Sequence, residues 1–172
     1  MRRRRWRVAP LLLGMFLGSA VGLVVGLFVW ALAVREPPIP PLTQQTFEQA
    51  FAQWQRIGPE SYDLDVRLSG ARSAEIHVQV RHGEATQVTR DGQVLTQRRT
   101  WEPWTVLGQF DTLEIELDNA TRPGEVYNAP EARVVLRASF DERLGYPKQF
   151  QRRVLGTQYA IEWQVTRFDV VD

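Results

Sequence analysis

Two guanidinium groups and two indoles fall within one short stretch, Arg98-Arg99-Thr100-Trp101-Glu102-Pro103-Trp104. Cations beside aromatic faces can hold a ligand or touch a bilayer surface, so Arg98, Arg99, Trp101 and Trp104 form a candidate contact site. A packing role competes with it. Pro103 suits the first position of a helix, Trp101 is placed to staple onto Val106, and Leu107, Phe110, Leu113 and Leu117 continue a buried helical face. That spacing favours packing.

Other polar clusters offer less chemistry. Asp111, Glu114, Glu116 and Asp118 could form a carboxylate site, but a solvated helix face opposite the leucines explains them better. His77 and His82 are too few for a three-ligand zinc site without carboxylates, and no H-E-x-x-H spacing exists; His77 is expected on a solvent face and His82 in a turn. No G-x-S-x-G elbow, P-loop or dinucleotide glycine pattern gives nucleophilic or nucleotide chemistry any support. The chain has no cysteine, which removes disulfides, thiolate metal sites and an acylated lipobox. These observations predict a noncatalytic protein with no metal and no cofactor.

The elements that must carry such sites begin with Val8 to Val34, 27 residues without a charge. At ~1.5 Å per residue they reach ~40 Å as a helix, enough to cross a ~30 Å hydrocarbon core with tilt. Trp6 and Trp30 fall near the two ends, as interfacial indoles do. Arg2, Arg3, Arg4, Arg5 and Arg7 precede the span, whereas Arg35 and Glu36 cancel on the other flank, so the N-terminus is expected to stay cytoplasmic and the rest to be exported. Ala31-Leu32-Ala33 has the small-x-small form of a signal-peptidase site. The apolar run far exceeds the ~7 to 15 residues of a signal peptide, which favours an uncleaved anchor.

Gly14, Gly18, Gly22 and Gly26 recur every fourth residue within that span. Overlapping G-x-x-x-G units let a second helix approach closely, either a second copy or a different membrane protein, although glycine is also common in membrane helices. The N-terminal tail, 1–7, leaves 16 basic against 20 acidic residues in the exported part, a formal −4 hidden by the overall +1. Such a domain is a poor polyanion binder, which argues against nucleic acid as a partner.

Residues 35–42, with Pro37, Pro38, Pro40 and Pro41, are expected to form a stiff spacer. The exported domain, 43–172, then opens with a helix: Thr46-x-x-Gln49 has capping-box form, and Phe47, Ala50, Phe51, Trp54 and Ile57 follow at helical spacing until Gly58-Pro59. From Ser61 the period falls to two. Strands are expected over Tyr62–Leu68, Ile76–Arg81, Ala85–Arg90 and Gln93–Gln97, with Asp91-Gly92 as a type I′ hairpin, and together they form a meander. After the second helix, Asp118 to Ala132 reads as a long loop. Val134–Phe140, Gln149–Leu155 and Tyr159–Phe168 return as strands, with Tyr159, Ile161, Trp163 and Val165 toward the core.

Trp54, Ser61-Tyr62-Asp63-Leu64, the apolar strand before His82-Gly83, Thr105-Val106 to Phe110, Phe140-Asp141 with Gly145-Tyr146-Pro147, and Val165 to Phe168 carry a resemblance. Over Phe47 to Phe168 the chain resembles a family of bacterial exported domains of unknown function, lipoproteins or membrane-anchored proteins. The resemblance implies export and supplies no activity.

The expected fold is α+β: a transmembrane helix, then a twisted antiparallel sheet with two helices on one face. The leading functional expectation is a membrane-tethered module that binds a protein or envelope component. A lipid or small-ligand carrier or sensor, with an apolar groove between sheet and helix, comes second; a carboxylate enzyme comes last.

Overall fold

Thr43 begins the first helix because its hydroxyl accepts the Thr46 N–H at 3.2 Å while Thr46 Oγ1 accepts the Thr43 N–H at 3.1 Å. This reciprocal box fixes α1 at Gln44–Ile57. The cap therefore lies three residues before the T-x-x-Q expected at Thr46. A hydroxyl at the third helical position closes the box where a glutamine was looked for. The computed structural model describes residues 38–70, 73–127 and 131–171. The expected span Val8–Val34, with Gly14, Gly18, Gly22 and Gly26, lies outside them. Among the described residues no helix is long and apolar enough to cross a membrane.

Alternating apolar residues then build β1 (Tyr62–Ser69), β2 (Ala74–Arg81), β3 (Glu84–Arg90) and a two-residue β4 (Gln93–Val94). Asp91 and Gly92 have φ of 51° and 78°, as a type I′ turn requires. β4 ends early because the chain folds into two short 3₁₀ turns, Arg98–Thr100 and Glu102–Trp104. Thr105 caps α2 (Val106–Asn119), its Oγ1 accepting the Gly108 N–H at 3.1 Å. Pro103 thus sits in the 3₁₀ turn before α2, not at the first position of that helix. The expected loop 118–132 includes one helical turn, α3 (Pro123–Val126). β5 (Arg133–Phe140), β6 (Pro147–Leu155) and β7 (Ala160–Val170) complete the fold.

The seven strands form one antiparallel sheet in the order β4-β3-β2-β1-β7-β6-β5. Two meanders are joined by the first and last strands. Both helices bury their apolar stripes in one core with the sheet, which makes the architecture α+β. Phe47, Ala50 and Trp54 of α1 meet Val106, Phe110 and Leu113 of α2 above Leu64, Val66, Ile76, Val78 and Phe150. Aromatic edges order this layer: Trp54 is edge-on to Tyr62 at 5.7 Å, and Tyr62 stacks on Phe168 at 5.1 Å.

Residues 35–42 were expected to be a spacer, yet Ile39–Leu42 belongs to this folded unit. Leu42 donates its N–H to Leu136 O at 3.0 Å, Pro40 O accepts from Ala138 N at 3.1 Å, and Arg137 Nη1 donates to Ile39 O at 2.8 Å. Leu42 is buried. The prolines have no N–H to offer outward, so the segment covers the β5 edge without making a new one.

Candidate functional site

α2 was expected to bury Leu107 and to expose Glu116; the reverse holds. Leu107 is 48 % exposed and shares its side with Asp111, Glu114 and Asp118, all exposed, whereas Glu116 is 6 % exposed. The cap at Thr105 sets the phase. Val106, Gln109, Phe110, Leu113 and Glu116 then face inward, so Gln109 and Glu116 interrupt an apolar stripe one heptad apart.

On the sheet, Phe150, Arg152 and Val154 alternate along one face of β6, which places a cation at a core position. Arg152 Nη1 donates to Glu116 Oε1, with side-chain exposures of 13 % and 8 %. The Tyr127 hydroxyl donates to Glu116 Oε2 at 3.1 Å, and the Arg152 guanidinium lies 5.4 Å from the Tyr127 ring centroid. Burial and the neighbouring Glu116 carboxylate push the Tyr127 pKa above its ordinary value. Both carboxylate oxygens are therefore engaged. Two atoms nearby are not: Gln109 Oε1 and Arg152 Nε are buried without a hydrogen-bond partner among the described residues. Such orphans cost roughly 1–3 kcal/mol each.

Gln109 and Arg152 line a groove of about 580 Å³ between α2 and the β1–β7 part of the sheet. Its walls are mainly apolar: Val66, Leu68, Pro103, Trp104, Ile161 and Trp163. Tyr159 and Ile161 were expected in the core, but they are 59 % and 39 % exposed at the groove. The volume lies within the ~300–1,000 Å³ of small-molecule sites.

Of the four residues first singled out, only Trp104 enters this groove. Its carbonyl also accepts from Gln109 Nε2 at 3.2 Å. Trp101 is partly buried against the core and donates Nε1–H to Leu95 O at 2.9 Å, just past β4. Arg98 lies over the Trp101 ring at 5.5 Å from its centroid, and Arg99 reaches Gln97 Oε1 at 3.3 Å. Both arginines are exposed, and neither lines the groove.

The outer face of the sheet is polar. His77 Nδ1 and Asp65 Oδ1 are 2.5 Å apart on neighbouring strands, and Arg81 pairs with Asp63 at 2.8 Å. His77 lies on this outer face, as expected, and is partly covered by the Asp65 carboxylate from β1. His82 occupies a turn, with φ of 51°. Among the described residues no group of three or more histidines and carboxylates is placed to hold a metal ion.

Comparison with known proteins adds no relative: no family model, no curated protein and no solved structure matches the chain.

Proposed function

We propose that this chain is a noncatalytic, single-pass, membrane-anchored binding module of the bacterial envelope, and that it takes a small amphipathic ligand in the groove beside α2. The observation that carries this reading is a mainly apolar groove of about 580 Å³ whose lining includes a few polar residues, Gln109, Thr112, Arg152 and Glu162. A site that combines an apolar wall with a few polar groups suits a ligand with an apolar body and a small head. The groove favours the ligand carrier or sensor over a module that recognises a protein partner through its loops.

Membrane placement rests on the residues of the N-terminal stretch: the uncharged Val8–Val34, and arginine on one flank alone. The inner membrane is the proposed location, with the C-terminal domain outside the cytoplasm. A reporter active only after export, fused at Asp172, will be active; a fusion that works only in the cytosol overturns the topology. Gly14, Gly18, Gly22 and Gly26 form the proposed face for a second membrane helix.

The ligand reading is tested with the full chain, purified from native membranes and released in the mass spectrometer. A small molecule will leave with the parent chain and be absent from Ile161→Trp, in which an indole fills the groove. Equal recovery from both, or none from the parent, rules out the groove as a ligand site.

A further inference from the structure

Only Arg35 to Pro38 separate the uncharged stretch Val8–Val34 from Ile39, where the folded unit begins. From Val34 to Ile39 the chain reaches ~17 Å when fully extended, so an anchor in that stretch holds Ile39 within about that distance of the bilayer. Within the folded unit, Pro41 is bridged to Arg137, Arg137 pairs with Gln151, and Gln151 pairs with Glu162. Three strand spacings of ~4.8 Å therefore separate Pro41 from the β7 wall of the groove, ~14 Å in all. A groove tethered this closely meets bilayer lipid at a high local concentration.

The groove is built for an apolar chain. Tyr159 and Ile161, 59 % and 39 % exposed, stand at its mouth beside Pro103 and Trp104, while Val66 and Trp163 are buried in its floor. Exposed aromatic and aliphatic side chains of this kind suit a membrane interface. At the ~30 Å³ of one water-sized group, about 580 Å³ holds on the order of 20 methylene-sized groups, room for one acyl chain and not for two. A chain that passes from bilayer to groove stays in apolar surroundings. The gain is the groove's own apolar surface, which is removed from water.

The charges say which end enters. The charged residues that line the groove are Arg152 and Glu162. Arg152 Nη1 is held by Glu116, and Glu162 Oε2 accepts from Gln151 Nε2 at 2.9 Å. One guanidinium against two carboxylates leaves a formal −1 at this wall. A phosphate or carboxylate head would lose its hydration, meet net negative charge and find the guanidinium already paired. An ammonium would find Glu116 engaged by Arg152 and Tyr127, and Glu162 engaged by Gln151. On the reading that the chain is membrane-anchored and its groove binds an amphipathic ligand, we propose that this ligand is a phospholipid of the same bilayer. One acyl chain enters tail-first, past Tyr159 and Ile161 toward Val66 and Trp163, and the head stays in water at the mouth.

The experiment places the full chain in nanodiscs that contain a phosphatidylcholine with a diazirine on one acyl chain, and maps the photolabelled residues by mass spectrometry. A diazirine at the terminal carbon will label Val66 or Trp163, and one beside the ester will label Tyr159 or Ile161. Ile161→Trp, shown to be folded by circular dichroism, will lose the label at Val66, Tyr159 and Trp163 and keep the label in 8–34. Label confined to 8–34 on the parent, or a folded Ile161→Trp labelled like the parent, overturns the lipid assignment. Ester-side label at Val66 and Trp163 overturns tail-first entry. No label in 8–34 overturns the membrane anchor and the proposal with it. The groove reading is scored apart, by diazirine-bearing decanol added to the chain in detergent. Decanol label at the groove residues leaves that reading standing where the lipid fails, and no label from either probe overturns both. The maps of the parent chain decide these outcomes whether or not the variant folds.

Discussion

The Tyr62 hydroxyl, on a residue 3 % exposed, accepts the Val106 N–H at 3.0 Å and so satisfies a donor in the first turn of α2 that the helix cannot. Burial pushes its pKa up to about 12, opposed in part by that same hydrogen bond. The neutral phenol is thus favoured in the folded state, and the stability it contributes is complete below the unfolded value of 10 and lost as pH rises toward 12. The difference is worth about 3 kcal/mol. Tyr62→Phe orphans the Val106 N–H and will cost roughly 1–3 kcal/mol at pH 8. Its urea midpoint will fall less than the parent's between pH 10 and 12, and equal falls would remove Tyr62 as the cause. The Glu116–Arg152 pair makes a second prediction: Glu116→Leu or Arg152→Met alone will cost about 3–5 kcal/mol, since each leaves a buried charge unpaired. The double variant will recover most of that, as a thermal double-mutant cycle will show. This pair could have been read from the sequence. Glu116 interrupts the apolar stripe of one helix and Arg152 the apolar alternation of one strand, and opposite charges at two core positions suggest each other. Grouping Glu116 with its exposed acidic neighbours hid the signal.

Local signals carried most of the elements. The period-two runs from Tyr62 and Val134, the Asp91-Gly92 turn and the Gly58-Pro59 stop all fall where the residues place them, because each acts over a few bonds. Phase was harder. Leu107 and Val106 are equally apolar, and only the cap at Thr105 decides which of them faces the sheet. Gly145 of the Gly-Tyr-Pro motif shows what a short motif does in three dimensions. Its φ is +85°, and a Cβ there would lie 2.5 Å from Ala50 O on α1. Tyr146 then stacks on Phe168 at 4.4 Å, and Pro147 starts β6. The motif seats the β5–β6 turn against α1, and Gln53 Nε2 seals it with bonds of 2.8 Å to the Glu142 and Arg143 carbonyls. Gly145→Ala combines backbone strain with a clash and will destabilise by roughly 2–4 kcal/mol. Denaturant unfolding checks this, and a change below about 0.5 kcal/mol would mean that α1 yields freely.

At the scale of the molecule, the strand order could not be read from the residues. Pairing of β1 with β7 joins segments about a hundred residues apart and leaves no local trace, whereas each meander follows from consecutive hairpins. The groove was hidden for the same reason. Ile161 and Tyr159 alternate like core residues, yet both stay exposed at a groove that forms only in the assembled fold. The start of the folded unit is testable. A chain beginning at Pro38 will be more stable than one beginning at Thr43 by roughly 3 kcal/mol, from the burial of Leu42 and the hydrogen bonds of Ile39–Leu42 to β5. Equal chemical-denaturation midpoints would show that this segment adds nothing.

The strap along β5 also determines how the domain bears load. If the chain is held by its N-terminal end, tension enters at Ile39, where the Arg137 guanidinium yields first. The backbone bonds at Pro40 and Leu42 follow in order, before any pull reaches α1. Because the groove is walled by α2, β1 and β7 and not by this segment, peeling the segment from β5 removes none of its lining.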